Sequence, residues 1–262
     1  MDAAAYLRRI EYGGPHPPTA DTLRRLHRQH LFTVPFENLD IALGTNICLD
    51  VALLYDKIVS RHRGGFCYEL NGLFCELLRT LGFTVEMLSA RVRRNDGGFG
   101  PEFDHMLLKV QLEEPWLVDV GFGDSFVDPI VFRSGGADQV NGHRYVVLPV
   151  GDEWELLRED AKGQLPLYVF RDAPQELNDY DAMCVYHQSS PESHFTKSWI
   201  CSRATPDGRI TVANMCLIVT TDGHKNETQL ISEEQLRDCL RDSLGISFAP
   251  SVSLAKLAKL AG

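Results

Sequence analysis

The sequence has no excess of positive charge, which argues against one large class of functions. Its 262 residues include 26 lysines and arginines against 36 aspartates and glutamates, a formal net charge of -10. A general nucleic-acid binder needs a basic surface to neutralise phosphates, so we expect no nucleic acid among the partners. A small anionic ligand is compatible with this charge, but local contacts in its site would have to hold it.

Long apolar runs are also missing. No segment approaches the roughly 20 apolar residues of a membrane-spanning helix, and the opening stretch from Met1 to Arg9 lacks the apolar core of a secretion signal. The seven cysteines are an odd number with irregular spacings, which is typical of a reducing compartment and not of a disulfide framework. We therefore expect a cytoplasmic protein with no membrane partner.

The spacings of common zinc sites are absent. The sequence contains no Cys-x-x-Cys pair and no His-Glu-x-x-His motif. His27 and His30 lie one turn apart on a predicted helix, but no third ligand follows nearby, so a packing or solvated role is favoured. We expect no metal and no prosthetic group.

Hydrophobic periodicity divides the chain into three regions. The first is predicted to be helical. Its clearest helix spans 66–80, where apolar residues recur at three- and four-residue intervals and Gly82 occupies a C-terminal cap position. The second has short alternating runs between glycine and proline loops, which predicts a β-domain in the form of a small barrel. The third contains strand-like runs and ends in a helix after the capping-box sequence Ser232 to Gln235.

A cysteine stands at the first turn of the predicted 66–80 helix, in the segment Arg63-Gly64-Gly65-Phe66-Cys67. The unpaired backbone N–H groups and the positive end of the helix dipole favour an anion there, so the thiolate is favoured over the thiol. The two glycines allow a sharp turn and leave room for a substrate. The alternative is a buried structural role, since most free cysteines only pack.

A histidine and an aspartate follow on two predicted strands. His105 begins one strand and Asp119 ends the next, and a turn near Glu113 to Pro115 would make the two antiparallel. The hairpin then returns Asp119 to within one or two positions of His105. A carboxylate beside an imidazole fixes its tautomer and stabilises the imidazolium that forms when it accepts a thiol proton. With the cysteine, these residues have the composition of a nucleophile, a base and an orienting acid.

Four motifs in order resemble one known family. The cysteine segment, continued to Gly72, resembles the active-cysteine motif of the arylamine N-acetyltransferases. His105 to Leu108 and Val118 to Gly123 resemble the histidine and aspartate motifs of that family. Val34 to Asp40 is similar to a further signature upstream. The resemblance spans essentially the whole chain, and four ordered motifs are far more specific than one.

The resemblance implies an α+β fold of the papain-like cysteine-triad type. Its parts would be a helical domain at 1–82 that carries the cysteine, a β-barrel domain at 83–190 that carries the histidine and aspartate, and an α/β lid at 191–262. The implied catalytic triad consists of Cys67, His105 and Asp119.

The resemblance also implies roles for residues around the triad. Arg63 of the cysteine motif would form an internal salt bridge with Glu37 of the upstream signature, as part of the scaffold. The acceptor pocket would be lined by Phe36, His194 and Phe195. Coenzyme A would enter near Phe103, Asp104, Phe122 and Gly123.

The function implied is acetyl-CoA-dependent N-acetylation of arylamines and arylhydrazines, by a ping-pong mechanism through a thioester on Cys67. Acetyl-CoA would be a substrate and not a resident cofactor. Three alternatives stay open: an amide synthase of the same family that closes macrolactams, a cysteine hydrolase or transglutaminase with the same triad, and a non-catalytic binding module.

Two features beside the histidine motif have no fixed role. The loop Gly97 to Pro101 is rich in glycine, and it could bind coenzyme A phosphates through backbone N–H groups or form a mobile hairpin tip. Arg91, Arg93 and Arg94 surround Val92 on a predicted strand. A solvated barrel face is the default for these arginines, and contact with an anionic donor is the alternative.

Overall fold

The structure, a computed structural model, describes residues 1–135, 137–140, 142–160 and 163–259. It combines helices with two antiparallel sheets, so the mixed α+β class predicted from the sequence is confirmed. Within these ranges no helix has both the length and the apolar character needed to cross a membrane.

The first region is helical, with one short strand. Its elements in chain order are α1 (Ala3–Arg9), α2 (Ala20–Thr33), β1 (Phe36–Glu37), α3 (Leu39–Leu43), α4 (Val51–Tyr55), a π-helical turn (Asp56–Ser60) and α5 (Cys67–Thr80). The last of these confirms the helix predicted at 66–80. Its N-terminus is fixed by Glu69, because Oε2 of this residue accepts a hydrogen bond of 3.1 Å from the N–H of Phe66. Most side chains of α5 are buried, so this helix forms the centre of the hydrophobic core of the first region.

The second region is an eight-stranded antiparallel sheet that curls into a barrel-like shape, as predicted. Its strands are β2 (Thr84–Val92), β3 (His105–Gln111), β4 (Pro115–Val118), β5 (Ile130–Val131), β6 (Ala137–Val140), β7 (His143–Val150), β8 (Glu153–Asp160) and β9 (Gly163–Gln175). They lie in the order β5-β4-β3-β2-β9-β8-β7-β6. Strands β2 and β3 also pack on α5, which brings the start of β3 close to Cys67.

The third region is the part of the chain after β9, and it begins with a 3-10 turn and two short helices and continues into a sheet. Its elements are a 3-10 turn (Leu177–Tyr180), α6 (Asp181–Ser189), α7 (His194–Lys197), β10 (Ile200–Thr205), β11 (Gly208–Ala213), β12 (Cys216–Thr221), β13 (His224–Gln229), α8 (Glu233–Leu244) and α9 (Ala255–Lys259). The sheet order is β1-β10-β11-β12-β13, so the short strand of the first region pairs with the third. Helix α8 starts as predicted, because Ser232 Oγ accepts a hydrogen bond from the N–H of Gln235.

Candidate active site

Cys67 is the first residue of α5, and it lines a cleft of about 880 Å³. Only 4% of the residue is exposed. The opposite walls come from the start of β3, the loop after β4 and the segment from α6 to β10. That loop approaches the helix so closely that a Cβ atom on Gly121 would lie 2.7 Å from Cα of Cys67. The nucleophile candidate therefore stands where all three regions meet.

His105 and Asp119 are in direct contact. His105 lines the same cleft, and its Nε2 lies 2.8 Å from Oδ2 of Asp119. Strand pairing explains the contact, since Leu108 pairs with Val118 and the next residue of the chain, Asp119, then falls opposite Leu107. This lies two positions from His105, within the range predicted from the hairpin. Because Nε2 faces the carboxylate, Nδ1 is the ring nitrogen left to exchange a proton in the cleft.

The Asp119 carboxylate is held by hydrogen bonds on both oxygens. Oδ1 accepts from Asn71 Nδ2 at 2.9 Å and from the N–H of Gly121 at 3.0 Å, and the hydroxyl of Tyr168 donates to Oδ2 at 3.3 Å. Burial alone would raise the pKa of this carboxyl, but the charge and hydrogen bond of His105, with the two donors on Oδ1, lower it below its usual value. Asp119 is therefore an anion that can stabilise an imidazolium at His105.

Two side chains that position Asp119 were not assigned a role from the sequence. Asn71, one turn after Cys67 on α5, also donates to the carbonyl of Met106 and accepts from the N–H of Val120. His27 on α2 accepts from the N–H of Asp119 through Nε2 at 3.2 Å, while Nδ1 lies 2.9 Å from the carbonyl of Val127. Burial lowers the pKa of His27, which agrees with a neutral ring that donates through Nδ1 and accepts through Nε2.

The environment of the Cys67 thiol differs from the one expected of a bare helix start. Burial raises the pKa of this thiol, the N–H of Met106 lowers it through a hydrogen bond to the sulfur, and the carboxylates of Asp119 and Asp104 raise it further. The net direction is upward, against the effect of the helix dipole. Burial therefore favours the neutral thiol over a free thiolate at Cys67.

A buried group of five charged side chains supports the start of α5. Arg63 Nη2 lies 2.7 Å from Glu37 Oε1 and 2.8 Å from Asp40 Oδ1, and Lys57 Nζ lies 2.8 Å from Asp40 Oδ2 and 2.7 Å from Glu69 Oε1. Three carboxylates thus face two cations. Burial raises the pKa of Glu69 to about 7, although Lys57 acts to lower it. The Arg63–Glu37 contact expected from the resemblance is one part of this larger network.

An aromatic group forms the wall of the cleft on the side of the third region. Phe36, His194 and Phe195, expected to lie at an acceptor pocket, all line the cleft. The ring centroid of Phe195 lies 6.4 Å from that of Phe36 and 5.8 Å from that of Phe66, in tilted and edge-on arrangements. Such a surface fits a flat aromatic ligand.

The four residues expected near coenzyme A occupy different positions. Phe122 and Asp104 line the cleft. Phe103 does not belong to the lining residues, since its ring packs edge-on against Tyr180 at 5.2 Å. Gly123 lies against the ring of Phe36, and its φ of 89° is in the left-handed region that favours glycine.

One further cleft residue, His187, was not expected from the sequence. Its Nε2 lies 3.4 Å from Oδ1 of Asp104, and its Nδ1 lies 3.2 Å from Oγ of Ser193. No local sequence pattern predicted this contact, because His187 and Asp104 are far apart along the chain. Among the residues that the structure describes, no group of three or more His, Cys, Asp or Glu side chains could hold a metal ion.

Comparison with known proteins identifies the family of the chain. A family model described as N-acetyltransferase matches residues 19–252. The arylamine N-acetyltransferase of Escherichia coli (strain K12) is 36% identical over 225 residues, a match that covers 85% of this chain and 80% of that protein. The arylamine N-acetyltransferase of Mycolicibacterium smegmatis is 34% identical over 253 residues, covering 94% of this chain and 92% of its own.

Solved structures extend the similarity to the whole fold. The arylamine N-acetyltransferase of Mycobacterium marinum superposes with a TM-score of 0.91 at 30% identity, over 99% of this chain and 98% of the other. A second structure of the Mycobacterium marinum enzyme, in complex with CoA, gives a TM-score of 0.90 at 30% identity, over 99% and 98% of the two chains. The chain belongs to the arylamine N-acetyltransferase family.

Proposed function

We propose that this protein transfers an acetyl group from acetyl-CoA to the nitrogen of arylamines and arylhydrazines, through a thioester on Cys67. The observation that carries the proposal is the 2.8 Å contact between His105 and Asp119 in the cleft that Cys67 lines. Family membership supports the reaction class, and the CoA complex of the Mycobacterium marinum relative supports CoA as the carrier of the donor. Catalysis needs no metal and no prosthetic group in this scheme.

In the first half-reaction, the Cys67 thiol transfers its proton to Nδ1 of His105, and Asp119 stabilises the imidazolium that forms. The thiolate attacks the carbonyl carbon of acetyl-CoA, which forms a new S–C bond and places negative charge on the carbonyl oxygen. Backbone N–H groups in the first turn of α5, which have no partner within the helix, would stabilise that charge. The C–S bond to coenzyme A then breaks, and its sulfur takes the proton from His105.

In the second half-reaction, the acceptor occupies the space that coenzyme A has left. Its ring would pack against Phe36 and Phe195, which are already placed for a flat aromatic group. The amine nitrogen attacks the acetyl carbon, the bond from carbon to the Cys67 sulfur breaks, and a nitrogen proton passes to His105. Aromatic amines suit this step because they are neutral, and so nucleophilic, at pH 7.

The test is mass spectrometry of the intact protein after mixing with acetyl-CoA. We expect one acetyl group on the unaltered chain, mapped to Cys67 by peptide analysis, and none on Cys67→Ser. The matched control is Cys48→Ser, because Cys48 is an exposed free cysteine and its loss leaves acetylation unchanged. Addition of an arylamine should discharge the acetyl group as acetylated amine.

Two results would contradict the proposal. Covalent acetylation of Cys67→Ser at the rate of the unaltered chain would show that another residue carries the acetyl group. Loss of the acetyl group to water, at a rate that an arylamine does not change, would indicate a hydrolase with the same three residues.

A further inference from the structure

Two arginines that line the cleft have no ionic partner among the residues that the structure describes. Arg93 and Arg94 line the cleft, and within the described part of the chain neither forms a salt bridge. Their neighbour Arg91 differs, because Glu153 accepts its hydrogen bond. Arg93 is also fixed in place, since its guanidinium lies 5.2 Å from the centre of the Phe99 ring and its Nη2 lies over Gly97.

These arginines belong to a hairpin whose glycine N–H groups are already in use. Gly97 donates to the carbonyl of Arg94, Gly98 donates to the side chain of Asp96, and Gly100 donates to the carbonyl of Val92. The glycine N–H groups of this loop are therefore not free to bind phosphates. An anion at this end of the cleft would have to be bound by arginine side chains.

The position of the hairpin connects it to the reacting groups. Asp104 and His105 follow the hairpin directly, and Arg93, Arg94, His105 and Cys67 line one continuous cleft. Two carboxylates also line it, but Asp104 faces His187, and Glu192 forms no described ion pair with either arginine. The volume of about 880 Å³ lies within the range of sites for large small-molecule ligands.

Charge explains why such arginines would be needed. Coenzyme A carries a pyrophosphate and a ribose phosphate, whereas this protein has a net charge of -10, so its overall field repels the donor. Unpaired guanidinium groups beside the cleft offset that repulsion locally and bind phosphate oxygens in pairs.

We propose that Arg93 and Arg94 bind the phosphate groups of the CoA donor, and so make the enzyme selective for CoA thioesters over phosphate-free thioesters. The inference rests on the proposed function and adds the residues that recognise the donor. Arg93, held by Phe99, is a preformed contact, and the exposed Arg94 closes onto the ligand.

The experiment compares two acetyl donors in single-turnover acetylation of Cys67. Acetyl-CoA carries the phosphates, and S-acetylpantetheine carries the same thioester without them. We expect Arg93→Gln and Arg94→Gln each to lower kcat/KM for acetyl-CoA about tenfold, and the double variant about a hundredfold, with little change for S-acetylpantetheine. Added salt should slow the acetylation of the unaltered chain by acetyl-CoA, and it should have less effect on the double variant.

The matched control is Arg8→Gln, which removes the same charge from an exposed arginine on α1, away from the cleft. An equal loss with both donors would show that the arginines support the cleft in general and would overturn the inference. No loss with either donor would overturn it as well. Failure of the unaltered chain to form acetyl-Cys67 with either donor would refute the proposed function itself, and the inference with it.

Discussion

Replacement of Gly121 by alanine tests whether the close approach of one loop to α5 sets the geometry of the candidate triad. Gly121 follows Asp119 by two residues, and its N–H donates to that carboxylate. Its backbone is not in the left-handed region, so the only new feature of the variant is one methyl group. That methyl points at the residue proposed as the nucleophile.

The size of the effect follows from the distances. The added carbon would lie 2.7 Å from Cα of Cys67, 2.7 Å from Nδ2 of Asn71 and 3.0 Å from the carbonyl oxygen of Cys67. Carbon atoms prefer separations of about 3.5–4.0 Å, so the loop and the helix must separate by about 1 Å. Neither neighbour can swing aside, since one is helix backbone and the other is an amide with three hydrogen bonds.

We expect Gly121→Ala to lose about 1–3 kcal/mol of unfolding free energy through overpacking. The displacement of Asp119, and with it His105, relative to the sulfur should slow acetylation of Cys67 roughly a hundredfold, the usual cost of a misplacement of about 1 Å. Urea denaturation measures the first quantity. Rapid-quench mass spectrometry with acetyl-CoA measures the second.

The control is Gly13→Ala, because a Cβ atom at Gly13 meets no atom within 4 Å and its backbone is not left-handed. This variant should keep both the stability and the rate of the unaltered chain. If Gly121→Ala acetylates as fast as Gly13→Ala, the approach of the loop to α5 does not set the geometry of the site, and the reasoning fails.

Two further predictions concern charge. Asp119→Asn should slow acetylation by about three to four orders of magnitude, since the neutral amide cannot stabilise imidazolium at His105; single-turnover mass spectrometry measures this, and an unchanged rate would contradict it. Burial raises the pKa of Glu69 from 4.5 to about 7, so the stability due to this group is complete below pH 4.5 and is lost as the pH rises through 7. As the pH rises from 5 to 8, the unfolding free energy of Glu69→Gln should therefore increase by about 3 kcal/mol relative to that of the unaltered chain. Urea denaturation at several pH values measures this difference, and parallel curves of unfolding free energy against pH would contradict the prediction.

The sequence predicted helix α5 well. Helix α5 begins and ends within one residue of the predicted span 66–80, because its apolar residues recur at helical spacing. Strand β13 was not predicted, since all six of its side chains are exposed and it has no apolar alternation.

The site was only partly predictable, for a related reason. The cysteine, histidine and aspartate stand next to local signals: a helix start and a short hairpin. Asn71, His27 and His187 act through contacts across the chain, and His27 lies 92 residues from Asp119 in sequence. Their partners are set by tertiary packing, which the hydrophobic periodicity of a sequence does not reveal. The pKa of Cys67 was misjudged in the same way, because burial was not visible at the helix start.

The two edges of the five-stranded sheet have a consequence for how copies of this chain behave at high concentration. One end is closed by β1, which offers only two residues for pairing, and the other is β13, whose exposed side chains are polar and include both charges. Short or charged edge strands resist the addition of a strand from another molecule. This sheet is therefore protected against edge-to-edge aggregation at both edges. At one edge the strand is too short to pair, and at the other the side chains are polar and solvated.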